Sequence, residues 1–141
     1  MTARILIVGP PDATRQGWRD TLRGHYYRVS ETATCAGARV LLPRLRPDLV
    51  LIAAALSDGP GGALCQWIRR SGQGGVAVVL EAGTGADATA AAFAAGAEDV
   101  VCPPVAPRAL SMRIRRVLRD REALQTLGLG AAGLAPAACA P

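Results

Sequence analysis

One stretch, RPDLVLIAAALSDGPGG from Arg46 to Gly62, limits what this chain can fold into. Leu49, Val50, Leu51 and Ile52 form an unbroken aliphatic run between Pro-Asp and a loop rich in Gly and Pro. A strand with one wet face alternates apolar and polar residues. A short continuous run instead reads as a strand covered on both sides, the middle of a parallel sheet. Functional loops in such sheets lie beyond the C-terminal strand ends. The residue at this strand's end is Ala53, and a methyl group does no chemistry.

The remaining segments alternate around that strand. Arg4–Val8 reads as a first strand ending at Gly9-Pro10-Pro11. Asp12 then caps a helix to about Arg23 that buries Trp18 and Leu22. Tyr27–Thr32 reads as a strand nearer an edge, and Thr34 caps a helix over Cys35–Leu45. Pro43 is expected to bend or shorten that helix, since an interior proline costs ~3 kcal/mol. A helix near Ala63–Ser71, a strand at Val76–Leu80 and an alanine-rich helix at Ala86–Ala95 follow. A short strand, Asp99–Val101, leads to a helix whose start is marked by Pro107. Five strands alternating with five helices imply an α/β fold, a parallel sheet with helices on both faces and right-handed crossovers. Its C-terminal strand ends are Gly9/Pro10, Ala53, Glu81 and Cys102/Pro103.

Length suits one domain, read as residues 1–124, with 125–141 a flexible tail or the start of a linker. All 16 basic residues are arginine, which excludes mechanisms that need a lysine ammonium. The net charge of +5 could draw nucleic acid or an acidic partner. Much of it sits on the last helix, which reads as a solvated or protein-facing surface, so nucleic acid is not expected. Cys35, Cys65, Cys102 and Cys139 form no CxxC pair and have no histidine nearby, and His25 has no evident partner. They read as free thiols in a reducing cytoplasm, with no metal or other cofactor expected. The first strand begins at once, so no signal peptide is expected, and no apolar run is long enough for a bilayer.

In this order and spacing, ILIV, RPDLVLI, LSDGPGG, AAGAEDVV and the PP-x-x-P-R-x-L step resemble the CheY-like receiver domains of bacterial response regulators. The similarity covers about residues 3–122. HYYRVSETAT and the run into REALQTLG are most similar to the first receiver of PleD-type diguanylate cyclase response regulators. The resemblance implies a CheY/flavodoxin-like, doubly wound, three-layer αβα fold with sheet order 2-1-3-4-5. It also implies phosphoryl transfer to an aspartate, assisted by a metal on an acidic pair, a hydroxyl and a lysine. Metal and lysine offset charge that otherwise repels a carboxylate nucleophile.

Carried over residue by residue, that chemistry is missing. The acidic pair falls on Gly9 and Pro10, which offer a metal no side-chain oxygen. The acceptor falls on Ala53, the hydroxyl on Glu81, and the lysine on Pro103 with Pro104 at the cis-proline position. The aromatic switch residue falls on Val100. Asp58 survives in the loop but lies past the strand end. Glu81 reads either as a fixed charge imitating the phosphorylated pocket or, preferably, as a carboxylate turned to solvent or to an arginine. Gly9-Pro10-Pro11 lacks the spacing and the N–H donors of a phosphate-binding turn.

The resemblance further implies a self-association surface on the fourth helix, fifth strand and fifth helix. Val100, Asp99, Arg113 and Arg116 fall there, and Asp99 and Arg113 fit an ion pair that would set register. The expectation is a non-enzymatic, cytoplasmic receiver that cannot be phosphorylated. It would signal by contact with a protein partner or as a homodimer, and could regulate a diguanylate cyclase. The alternatives are a module of a DNA-binding regulator and a receiver that binds a small ligand in its altered pocket.

Overall fold

The computed structural model describes residues 2–72 and 75–127. Five parallel strands form the sheet: β1 (Arg4–Val8), β2 (Arg28–Thr32), β3 (Leu49–Ile52), β6 (Ala77–Glu81) and β7 (Asp99–Val101). Their order, β2-β1-β3-β6-β7, is the doubly wound arrangement expected of the sequence. β3 pairs with β1 (Ile5 with Leu49 through Val8 with Ile52) and with β6 (Leu49 with Ala77 through Ile52 with Leu80). Leu49–Ile52 is wholly buried, as an uninterrupted apolar run in the middle of a covered sheet must be.

The helices are α1 (Ala13–Gly24), α2 (Cys35–Leu45), α3 (Gly61–Arg70), α4 (Ala86–Ala94) and α5 (Pro107–Thr126). Two begin on caps legible in the sequence: Asp12 Oδ1 accepts from Arg15 N at 3.0 Å, and Thr34 Oγ1 from Gly37 N at 2.9 Å. α1 and α5 pack together on one face, and the right-handed rule for parallel crossovers puts α2, α3 and α4 on the other. Trp18 and Leu22 of α1 and Leu110, Ile114 and Val117 of α5 fill the core on their face.

Three local expectations change. Pro43 does not shorten α2, which continues to Leu45 and closes on Arg46 in the left-handed conformation (φ 47°). Proline removes only the bond to the carbonyl of Arg39, an exposed residue where water can replace it. A two-residue hairpin, β4 (Ala55–Leu56) with β5 (Gly59–Pro60), occupies the loop after β3, and the helix behind it starts at Gly61. The last helix runs to Thr126, two residues beyond the boundary placed at 124. The rest of the expected tail, 128–141 with Cys139, lies outside the described residues. Among the described residues, no helix is long and apolar enough to cross a membrane.

Candidate functional site

The strand ends named from the sequence come together at one edge. Ala53 N donates to Val8 O at 2.8 Å, setting the end of β3 beside the end of β1. A Cβ added to Gly9 would stand 3.4 Å from Ala53 Cβ. The positions carried over for metal ligand and acceptor are therefore neighbours in space, and neither bears a side-chain oxygen. Gly61 makes the crowding possible. A Cβ there would lie 2.1 Å from Ala53 O and 2.9 Å from Ile52 Cγ2, so only glycine lets α3 start this close to β3.

Glu81 departs from the preferred expectation. It turns neither simply to solvent nor to an arginine: its Oε1 accepts from Ala54 N at 3.1 Å. The strand β6 runs one residue past the expected Leu80, which brings Glu81 level with the residues after β3. A carboxylate accepting a backbone N–H makes one of the stronger hydrogen bonds. This one ties the tips of β3 and β6 together. Glu81 and Pro103 also line a cleft of about 540 Å³, walled otherwise by Ala13, Gly17, Trp18 and Leu110. The peptide between Pro103 and Pro104 is cis, as the resemblance implied for that position.

The residues at the metal position do not fit a divalent ion. Gly9 and Pro10 present no carboxylate, and a cation of the chain itself is already there. Arg15 Nη1 donates to Gly9 O at 3.0 Å, and the arginine stem would meet a Gly9 side chain at 3.9 Å. Arg15 Nε stands 3.2 Å from Glu31 Oε1, and Arg19 Nη1 stands 3.7 Å from Glu31 Oε2. Glu31 Oε1 nevertheless lacks an aligned donor, so the contact with Arg15 is an ion pair and not a hydrogen bond. Sequence reasoning missed Arg15, although its place three residues after a capping aspartate fixes it on the first turn of α1.

Asp58 has a structural task. Its Oδ1 accepts from Cys35 N at 2.9 Å and its Oδ2 from Ala36 N at 3.0 Å, which caps the start of α2 from a distant loop. The bonds from the amides of Ala36 and Cys35 hold its carboxyl below the ordinary aspartate range. Both oxygens are thus engaged away from the strand tips. The thiols of Cys35 and Cys65 are shifted upward by burial, Cys65 to about 11, which leaves both protonated and inert at neutral pH.

On the expected interface, Arg113 Nη1 lies 2.9 Å from Asp99 Oδ1 and 3.2 Å from Oδ2, so the pair inferred from the sequence exists within one chain. Arg116 is exposed. Val100 is not available to a partner: it is 5% exposed, because helices cover both faces of the sheet even at its edge strand.

Known proteins share the fold. The response regulator receiver domain family matches residues 5–115. The transcriptional regulatory protein AfsQ1 of Streptomyces coelicolor is 30% identical over 128 residues, covering 89% of this chain and 56% of AfsQ1. A two-component response regulator of the LuxR family from Aurantimonas sp. has 27% identity and a TM-score of 0.78 over 86% of this chain and 88% of its own. A CheY-like receiver domain protein from Methanospirillum hungatei shares the fold, with 23% identity and a TM-score of 0.79 over 87% and 98%. The chain spans about half the length of the curated relatives it matches.

Proposed function

The chain belongs to the response regulator receiver domain family, and from that premise we propose that it is a receiver unable to accept a phosphoryl group, conveying information by protein–protein contact. The observation that carries this reading is Ala53 at the end of β3, packed beside Gly9 where the family's chemistry needs a nucleophile beside a metal. Pro103 removes the lysine, and Asp58, the nearest loop carboxylate, is engaged at α2. Catalysis of phosphoryl transfer rests on positioned charge of opposite sign. Here the pocket offers a carboxylate, Glu81, and no lysine.

In this reading Glu81 acts as a permanent negative charge at the strand tips, holding one conformation that a phosphoryl group would otherwise have to stabilise. The receiver module runs through the end of α5 at Thr126 and works in the cytoplasm without catalysis of its own. Self-association runs through α4, β7 and α5, with Asp99, Arg113 and Arg116 at the contact. The name of AfsQ1 favours a transcriptional regulator as the output over the diguanylate cyclase that the PleD-type resemblance implies.

The test is incubation with acetyl phosphate or phosphoramidate and Mg²⁺, followed by intact-mass measurement. No mass change is expected, and beryllofluoride should leave the amide spectrum unmoved. Gain of a single phosphoryl group would end the proposal.

A further inference from the structure

We propose that the end of the domain opposite the strand tips binds a small ligand carrying two or more linked phosphate groups. A cleft of about 760 Å³ opens there, between the start of β1 and the last turns of α5. Arg4, Arg28, Arg46 and Arg121 line it, with Asp48 and Glu122 as its carboxylates. Its size is that of a small-molecule site.

Charge at this cleft is unbalanced in a specific way. Arg4 and Arg28 are register partners on adjacent parallel strands. Partners in register present side chains to the same face about 5 Å apart, and like charges so placed repel. Among the described residues no carboxylate pairs with either guanidinium; that of Arg4 donates only to Leu45 O at 3.3 Å. Asp48 is already engaged, its Oδ1 with Arg121 Nη1 at 3.1 Å and its Oδ2 with Arg4 N at 2.8 Å. Arg121 also donates to Gly75 O, which fixes its fork at the cleft wall. Arg46 joins the group from the left-handed cap of α2.

Chemistry chooses the ligand. Every cation here is a guanidinium, whose planar fork meets tetrahedral oxyanions with paired hydrogen bonds. A single orthophosphate has oxygens for two such forks at most, which leaves other arginines of the cleft unanswered. A chain of phosphates answers several at once. The arginines converge on one concavity instead of following a stripe, which favours a compact anion over a nucleic-acid backbone.

The experiment is calorimetric titration of the full chain with inorganic tripolyphosphate and, separately, with ATP, at low and at physiological salt. Both are expected to saturate one site, at least about tenfold tighter than orthophosphate. Equal affinities would assign recognition to the phosphate chain, and tighter ATP would assign it to a nucleotide; either supports the site. Arg28→Gln and Arg46→Asn should each weaken binding about tenfold with unchanged circular dichroism, since both positions are exposed and asparagine tolerates a positive φ. Arg108→Gln at the start of α5, which does not line the cleft, should change nothing. The proposal fails if binding does not saturate, if Arg108→Gln weakens it as much as Arg28→Gln, or if DNA oligonucleotides bind more tightly than tripolyphosphate with affinity rising with length.

Discussion

Replacing Arg69 by methionine should cost this domain about 3 kcal/mol, and the figure follows from what its guanidinium holds. Nε donates to Gly96 O at 2.8 Å, Nη1 to Val76 O at 3.0 Å, and Nη2 to Glu98 Oε1 at 3.0 Å. One side chain at the end of α3 thereby joins the entrance of β6 to the turn between α4 and β7. Gly96 is shaped to receive it: φ is +106°, and an added Cβ would lie 2.7 Å from Arg69 Cγ. The side chains of Arg69 and Glu98 are 24% and 27% exposed, so solvent screens the pair only in part.

Two hydrogen bonds from a charged donor at ~1 kcal/mol each, plus ~1 kcal/mol for the ion pair and the carboxylate left behind, give the total. In a domain of this size that is a fall of roughly 9 °C in melting temperature. Methionine keeps the stem, so packing is largely spared. Urea titration by circular dichroism supplies the number.

A pH series supplies a sharper check. Burial raises the Glu98 carboxyl above its ordinary range while Arg69 pulls it down. Without Arg69 the carboxyl rises further, so the folded state holds its proton where the unfolded chain has lost it. Stability of Arg69→Met must then fall as pH rises through the Glu98 titration, and its deficit must be greater at pH 8 than at pH 5. Adding Glu98→Gln should remove that dependence. A loss below about 1 kcal/mol, or a deficit independent of pH, would refute the reasoning.

Gly61→Ala should destabilise by at least about 2 kcal/mol, measured by the same titration, because its methyl group would collide with the backbone oxygen of Ala53. Asp58→Asn should flatten the acid limb of the stability profile. The Asp58 carboxyl is depressed in the fold, so its contribution is complete above the unfolded value near 3.8 and is lost as pH falls through the lower folded value. An acid limb unchanged in the variant would remove Asp58 from the account. Charge reversal at Asp99 or Arg113 should weaken self-association in sedimentation velocity, by roughly 1 kcal/mol or less per exposed pair, and restoring opposite charges by the double reversal should recover it.

What the sequence made legible is the part governed by near neighbours in the chain. The run Leu49–Ile52 announced a covered central strand, Asp12 and Thr34 announced helix starts, and Pro-Pro after Cys102 announced the last turn. The loss of side-chain oxygens at Gly9, Pro10 and Ala53 was equally plain, since an absent atom needs no geometry to be recognised. Three features stayed hidden because each joins residues more than twenty positions apart. They are Glu81 with Ala54, Asp58 with the amides of α2, and Arg69 with Gly96 and Glu98. Polar side chains of this length reach in any direction, and periodicity carries no information about which. Val100 misled for a related reason: the strand was read correctly, but the helix cover over its edge is a tertiary fact.

The short segment from Ala54 to Asp58 is moored at both ends, to β6 through Glu81 and to α2 through two amides. Its two anchors lie on different secondary-structure elements, with only three residues between them. Shifting the start of α2 away from this segment would break the bonds from Cys35 N and Ala36 N to Asp58, and shifting Ala54 would break the one to Glu81. The hydrogen-bonded path from the start of α2 to the tip of β6 therefore runs through this one short segment.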